Sequence, residues 1–204
     1  MREMTITYKV KNGIYINLTN RCPCACTFCL RTHADGVYGS DSLWLEREPT
    51  VEEVCRSLEK WDMSEIEEIV FCGYGEPTER LADLLEVAGF IKSKWEIPIR
   101  INTNGLSDLI NGRNTAPELE GLIDTVSVSL NTPDEDEYLK IVRPRFGKGS
   151  FEAMLSFTRE CTKYVPRVCM TVVGEPVTSM AAQEKCRAIC TTLGAQLRVR
   201  PYEE

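Results

Sequence analysis

The sequence predicts an α/β protein built on a parallel sheet. Apolar, β-branched segments alternate along the chain with amphipathic segments, and the apolar stripes of the latter recur at helical spacing. The strand candidates are residues 14–18, 68–72, 97–102, 125–130, 167–173 and 196–200. Repeated strand–helix–strand units imply right-handed crossovers and a sheet that is either curved as part of a (β/α) barrel or doubly wound. Six units fall short of the eight that close a TIM barrel.

The helices follow from their stripes. Val51, Val54 and Leu58 mark the first; Leu81, Leu84, Leu85, Ala88 and Ile91 the second. Phe151, Met154, Leu155 and Thr158 mark a third, and Met180, Cys186, Ile189, Cys190 and Leu193 a fourth. Thr132-Pro133-Asp134-Glu135 predicts an N-cap, a proline at the first helical position and an acidic first turn, so a short helix is expected directly after the fourth strand. A further short helix is expected near residues 117–122. Before the first strand, Thr5-Ile6-Thr7-Tyr8 alternates and Asn12-Gly13 is a two-residue turn signal, so the chain is expected to open with a β-hairpin. Residues 31–48 carry glycine, serine and charge without periodicity, the character of a long loop at a site.

A length of 204 residues with 43% hydrophobic composition predicts one domain over residues 1–204, an N-terminal strand in 1–12 and the sheet and helices in 13–202. The formal charge is −7, and no run of five or six like charges occurs. Loose binding to nucleic acid or anionic membrane needs clustered Lys and Arg, so both are disfavoured. The sequence has no signal-peptide pattern and no stretch long enough to span a bilayer, which predicts a cytoplasmic protein. There, ten cysteines argue for metal, redox or catalytic use over disulfides.

The decisive segment follows the first strand: Asn17-Leu18-Thr19-Asn20-Arg21-Cys22-Pro23-Cys24-Ala25-Cys26-Thr27-Phe28-Cys29, with Cys22, Cys26 and Cys29 at C-x3-C-x2-C spacing. Three thiolates so close can grip one compact cluster, and a [4Fe-4S] cube held by three leaves one iron open to another ligand. Cys24, as a fourth thiolate, would instead close the cluster and make a simple electron carrier. Zinc is a second alternative, with Cys22, Cys26, Cys29 and the only histidine, His33, as a tetrahedral set in a non-catalytic binding module.

The spacing, with an aromatic Phe28 just before the last cysteine, resembles the signature of the radical S-adenosylmethionine (SAM) superfamily. The resemblance implies a partial (β/α)6 barrel of TIM type. It implies that Cys22, Cys26 and Cys29 hold a [4Fe-4S] cluster, that Phe28 lies by the adenine, and that SAM chelates the open iron and is cleaved to a 5′-deoxyadenosyl radical. Cys72-Gly73-Tyr74-Gly75-Glu76-Pro77 resembles the family's Gly-Gly-Glu motif, with Gly75 and Glu76 receiving the SAM amino group and Tyr74 departing from the pattern. Ser127, Ser129 and Asn131 alternate onto one face of the fourth strand; by similarity Ser129 and Asn131 meet the SAM ribose or carboxylate, and Arg143 the carboxylate. Asn102-Thr103-Asn104-Gly105 supports the fold, and is equally a turn built on Asn-Gly.

The run from Tyr15 to Cys22 and the Phe28-Cys29-Leu30-Arg31 run are most similar to the small radical SAM proteins linked to the TatD family of hydrolases. The resemblance implies a small-molecule or a protein or peptide substrate, and an electron donor such as flavodoxin or ferredoxin. Cys161, Cys169, Cys186 and Cys190 could serve an auxiliary cluster, but they coincide with predicted apolar stripes, where cysteine is a small buried residue. Arg198 and Arg200 share a face of the last strand, where they either reach the open mouth or lie exposed on an edge.

Overall fold

In a computed structural model, residues 4–32, 36 and 39–202 are described. His33 lies outside them. Seven strands form one sheet in chain order: β1 (Thr7–Val10), β2 (Gly13–Ile16), β3 (Glu68–Phe71), β4 (Ile99–Thr103), β5 (Thr125–Ser129), β6 (Arg167–Val173) and β7 (Gln196–Arg200). β1 pairs antiparallel with β2, and every later neighbour pairs in parallel. Six parallel strands in sequential order, joined to one another by crossovers, are the partial barrel expected and exclude the doubly wound arrangement, whose strand order reverses at a switch point.

The crossovers carry α1 (Val51–Glu59), α2 (Leu81–Lys94), α3 (Ser107–Asn111), α4 (Glu135–Val142), α5 (Ser150–Tyr164) and α6 (Met180–Leu193). β-branched residues at alternate strand positions, among them Ile14, Ile16, Ile69, Ile99, Ile101, Val126 and Val128, join the helix stripes in one core cluster. Cys161, Cys186 and Cys190 belong to that core, as their apolar spacing implies, and burial pushes all three thiols up, Cys186 and Cys190 to about 11. Caps in the sequence set the helix starts. Thr50 and Glu53 close a capping box on α1 (3.2 and 2.9 Å), and Ser179 caps α6 through Ala182 N–H.

Two local expectations shift. The hairpin turns on Lys11-Asn12, with Lys11 at φ 53°, because the register pairs Val10 with Gly13 and makes that glycine the first residue of β2. The helix after β5 is capped by Asp134 in place of Thr132: Asn131 leaves the strand at φ 66°, which turns the chain before a helix can begin, and Asp134 accepts from Glu137 N–H at 2.8 Å. Near residues 117–122 the structure has a 3-10 turn, Ala116–Leu119.

Gly89 lies inside α2, and a Cβ added there would have nothing within 4 Å. Gly89→Ala is therefore expected to raise stability by about 0.5–1 kcal/mol through helix propensity and a less flexible unfolded chain. A urea melt of the two proteins checks it.

Candidate cluster and cofactor site

Every parallel strand ends at the same rim, and the cysteine loop leaves β2 there. The loop is clamped by the last turn of α4 and the segment that follows it: Thr27 N–H donates to the Ile141 carbonyl (2.8 Å), Ala25 N–H to that of Val142 (3.1 Å), and Arg145 N–H to that of Pro23 (2.8 Å). Cys24 forms an isolated bridge with Pro144. The polar residues before the motif fasten the end of the long loop over it. Asn20 donates to the Leu45 carbonyl (2.8 Å) and accepts from Leu45 N–H (3.1 Å), the buried Asn17 donates to the Leu43 carbonyl (2.8 Å), and Arg21 pairs with Glu48 (2.7 Å). Residues 43–48 are thus ordered by long-range hydrogen bonds, which leave no periodicity in their own sequence.

The sulfurs of Cys22, Cys24 and Cys26 adjoin one another. Cys24, buried, shares its S–H with both neighbours, which holds the Cys22 and Cys26 thiols below their ordinary range and Cys24 well above it. Burial pushes Cys29 up, against the nearby Arg31 charge. Arg31 also donates to the carbonyls of Cys24 (3.2 Å) and Asn20 (3.4 Å), so its guanidinium braces the loop and sets a cation beside the thiols. Asn104, at the end of β4, turns its amide toward the sulfurs of Cys24 (3.6 Å) and Cys22 (4.0 Å). Arg31 and Asn104 had only the Phe-Cys-Leu-Arg and Thr-Asn-Gly runs to suggest them.

The Gly73–Glu76 turn follows β3 and packs under the cysteine loop. A Cβ at Gly75 would lie 2.2 Å from the Thr19 carbonyl oxygen and 2.6 Å from that of Arg21, and one at Gly73 would lie 2.1 Å from Asn17 Oδ1. Gly75 is required by close approach of backbone, and Gly73 by the buried Asn17 side chain. Glu76 is buried, and both of its carboxylate oxygens accept hydrogen bonds. Thr78 N–H (3.1 Å), Thr78 O–H (2.8 Å) and Thr103 O–H (2.7 Å) donate to one oxygen, and Asn104 N–H (2.7 Å) to the other. Burial pushes this carboxyl up while the four donors pull it down, and burial prevails.

The remaining expected contacts are spread around the rim. Ser129 ends β5 facing the barrel interior beside Thr171, and Asn131 follows it, half-buried, with N–H on the Thr171 carbonyl (3.2 Å). Phe28 is 41% exposed on the open side of the cysteine loop. Arg143 is exposed and donates through Nε to the Lys140 carbonyl of its own helix (3.3 Å), so its side chain is turned back from the thiols while its carbonyl meets the loop at Ala25 N–H (3.3 Å).

A family model of the radical SAM superfamily matches residues 16–184. The chain belongs to the radical SAM superfamily. No curated protein matches it. Among solved structures it is similar to a radical SAM methyltransferase from Sphaerobacter thermophilus (TM-score 0.61, 20% identity, 96% of this chain and 57% of that one). It is also similar to methylornithine synthase, PylB (TM-score 0.63, 14% identity, 94% and 53%), and to native anSMEcpe with bound AdoMet, that is SAM (TM-score 0.61, 21% identity, 93% and 52%). The chain spans about half the length of these structures.

The radical SAM cofactors are a [4Fe-4S] cluster and SAM, and the residues present fit them. Three thiols of the right spacing share one loop, two of them biased toward thiolate, beside a cation and an amide donor. Tyr138 adds an orphan: its buried hydroxyl has no partner among the described residues and lies near the cysteine loop.

Proposed function

We propose that the chain is a radical SAM enzyme in which Cys22, Cys26 and Cys29 hold the [4Fe-4S] cluster and the rim of the partial barrel seats SAM. The observation that carries this is the thiol loop locked against the Gly73–Glu76 turn at the shared strand ends. When bound and reduced by one electron from an external donor, the cluster held by Cys22, Cys26 and Cys29 would supply reductive cleavage of SAM, and with it the means to abstract a hydrogen atom from a substrate.

The chain's own residues do the rest. Cys24 serves as a hydrogen-bond donor to its neighbours, since Pro144 pins its backbone and its hydrogen bonds to Cys22 and Cys26, reinforced by burial, keep its proton on. Asn104 and Arg31 stabilise negative charge on the ligating sulfurs, an arrangement that raises a cluster's reduction potential. Gly75 lets its turn close against the chain entering the cysteine loop, where its backbone would meet the SAM amino group, Ser129 and Asn131 offer hydroxyl and amide to the SAM ribose or carboxylate, and Phe28 offers a ring to adenine. Glu76 holds Asn104 and Thr103 at the rim, and its Oε2, which accepts from Asn104 N–H alone, keeps acceptor capacity for the SAM amino group. Arg143 would reach the SAM carboxylate by releasing Lys140, a bidentate pairing that guanidinium favours.

We read the chain as one domain over 1–204, and its ten cysteines suit a reducing cytoplasm served by a flavodoxin- or ferredoxin-type donor. No described helix is long and apolar enough to cross a membrane. The motif runs of residues 15–22 and 28–31 favour the TatD-linked group. The test is anaerobic reconstitution with iron and sulfide. Wild type and Cys24→Ala are expected to bind about four irons per chain with the absorption of a [4Fe-4S] centre, and Cys26→Ala little or none. Loss of iron in Cys24→Ala with retention in Cys29→Ala would overturn the ligand set.

A further inference from the structure

The sheet face turned away from the helices is polar, and at one end it is strongly basic. The register aligns Tyr15, Val70, Arg100, Thr125 and Arg167 in one row across it, and Ser129, Thr171 and Arg198 in another. On this face lies a cavity of about 730 Å³ that runs from the N-terminal rim of β2 to β5 up to Arg198 and Arg200 on β7. Five cations line it, Lys11, Arg100, Arg167, Arg198 and Arg200, against two carboxylates, in a chain whose net charge is −7.

The carboxylates are already engaged. Glu68 forms a two-point pair with Arg100 (2.6 and 3.0 Å), whose remaining N–H groups reach Asn102 (2.8 Å) and the Tyr15 hydroxyl (3.2 Å), and Glu67 accepts from Asn12 (3.0 Å). Arg167, Arg198 and Arg200 make no side-chain hydrogen bond or ion pair among the described residues. Arg198 and Arg200 are two residues apart on one strand, so their side chains leave the same face about 6–7 Å from each other. Arg198 and Arg200 are both exposed and line the cavity together with Arg167 and the Arg100–Glu68 pair.

We propose that the barrel interior binds an anionic group of the substrate, a carboxylate or a phosphate, with Arg198 and Arg200 as its paired ligands and Arg167 at the lower rim. This rests on the proposed function, since it assigns the anion to the molecule that loses hydrogen at the rim above. Two guanidinium forks with no counter-ion among the described residues match the bidentate geometry of either oxyanion.

The probes are inorganic phosphate and succinate, titrated calorimetrically into the reconstituted full chain without SAM at fixed ionic strength. One of them is expected to bind saturably at one site and to lose at least tenfold in affinity in Arg198→Gln/Arg200→Gln, with Lys185→Gln, an exposed lysine on α6, unchanged. A melt of the double variant separates lost binding from lost folding, and Arg198→Lys/Arg200→Lys is expected to recover part of the affinity. Preference for phosphate assigns a phosphorylated substrate, and preference for succinate a carboxylated one. Absence of saturable binding, or equal loss in Lys185→Gln, would overturn the site. Binding by a chain inert toward SAM would overturn the proposed function and leave the site standing, and SAM cleavage without anion binding would do the reverse.

Discussion

Glu76→Ala is expected to lose about 3–5 kcal/mol of stability, because it leaves buried donors on Thr78, Thr103 and Asn104 without an acceptor. Each orphaned buried donor costs about 1–3 kcal/mol, and relief of the carboxylate's own burial offsets part of the sum. Glu76→Gln keeps an acceptor for the Thr78 and Thr103 hydroxyls, which can also turn to accept, but sets an amide N–H against a backbone N–H; its loss is expected to be smaller by half or more. Chemical denaturation of the apo-proteins gives both values. Equal, small losses in the two variants would mean that the carboxylate is free for a ligand and does not tie the turn to β4.

Gly75→Ala is expected to prevent cluster assembly. The added carbon would sit at 2.2 and 2.6 Å from two carbonyl oxygens of the chain entering the cysteine loop, well inside contact distance. Backbone cannot rotate aside as a flexible side chain can, so either the turn or the thiol loop must shift, at a cost of about 3 kcal/mol or more. The variant should reconstitute with a small fraction of the wild-type iron, read by iron content and visible absorption. Gly89→Ala, equally conservative and in open space, separates the effect of this site from the effect of adding any methyl group.

Much of this arrangement is legible in the chain itself. β6 and β7 fall on the expected residues, because their β-branched runs are bounded by clear breaks. The four long helices follow their apolar stripes, and the cysteine loop announces itself by spacing. Three features were not legible, and each depends on partners distant in sequence or on local backbone geometry. Glu76 looks like a free acid until Thr103 and Asn104, from the next strand, converge on it. The order of residues 43–48 comes from Asn17, Asn20 and Glu48, whose amides and carboxylate replace the periodic apolar face that marks regular structure. The start of α4 turned on a choice between two competent caps, Thr132 and Asp134, decided by the positive φ of Asn131 where β5 meets the rim. Arg143 stands in the expected segment, yet it is the backbone around it that grips the thiol loop.

The most direct test of the account is the fate of SAM. Reconstituted wild-type chain, reduced with dithionite under anaerobic conditions, is incubated with SAM, and 5′-deoxyadenosine and methionine are quantified beside Cys26→Ala. The account predicts both products in equal amount from wild type and neither above background from the variant. An intact cluster in the wild type that leaves SAM untouched, or zinc bound in place of iron, would contradict it.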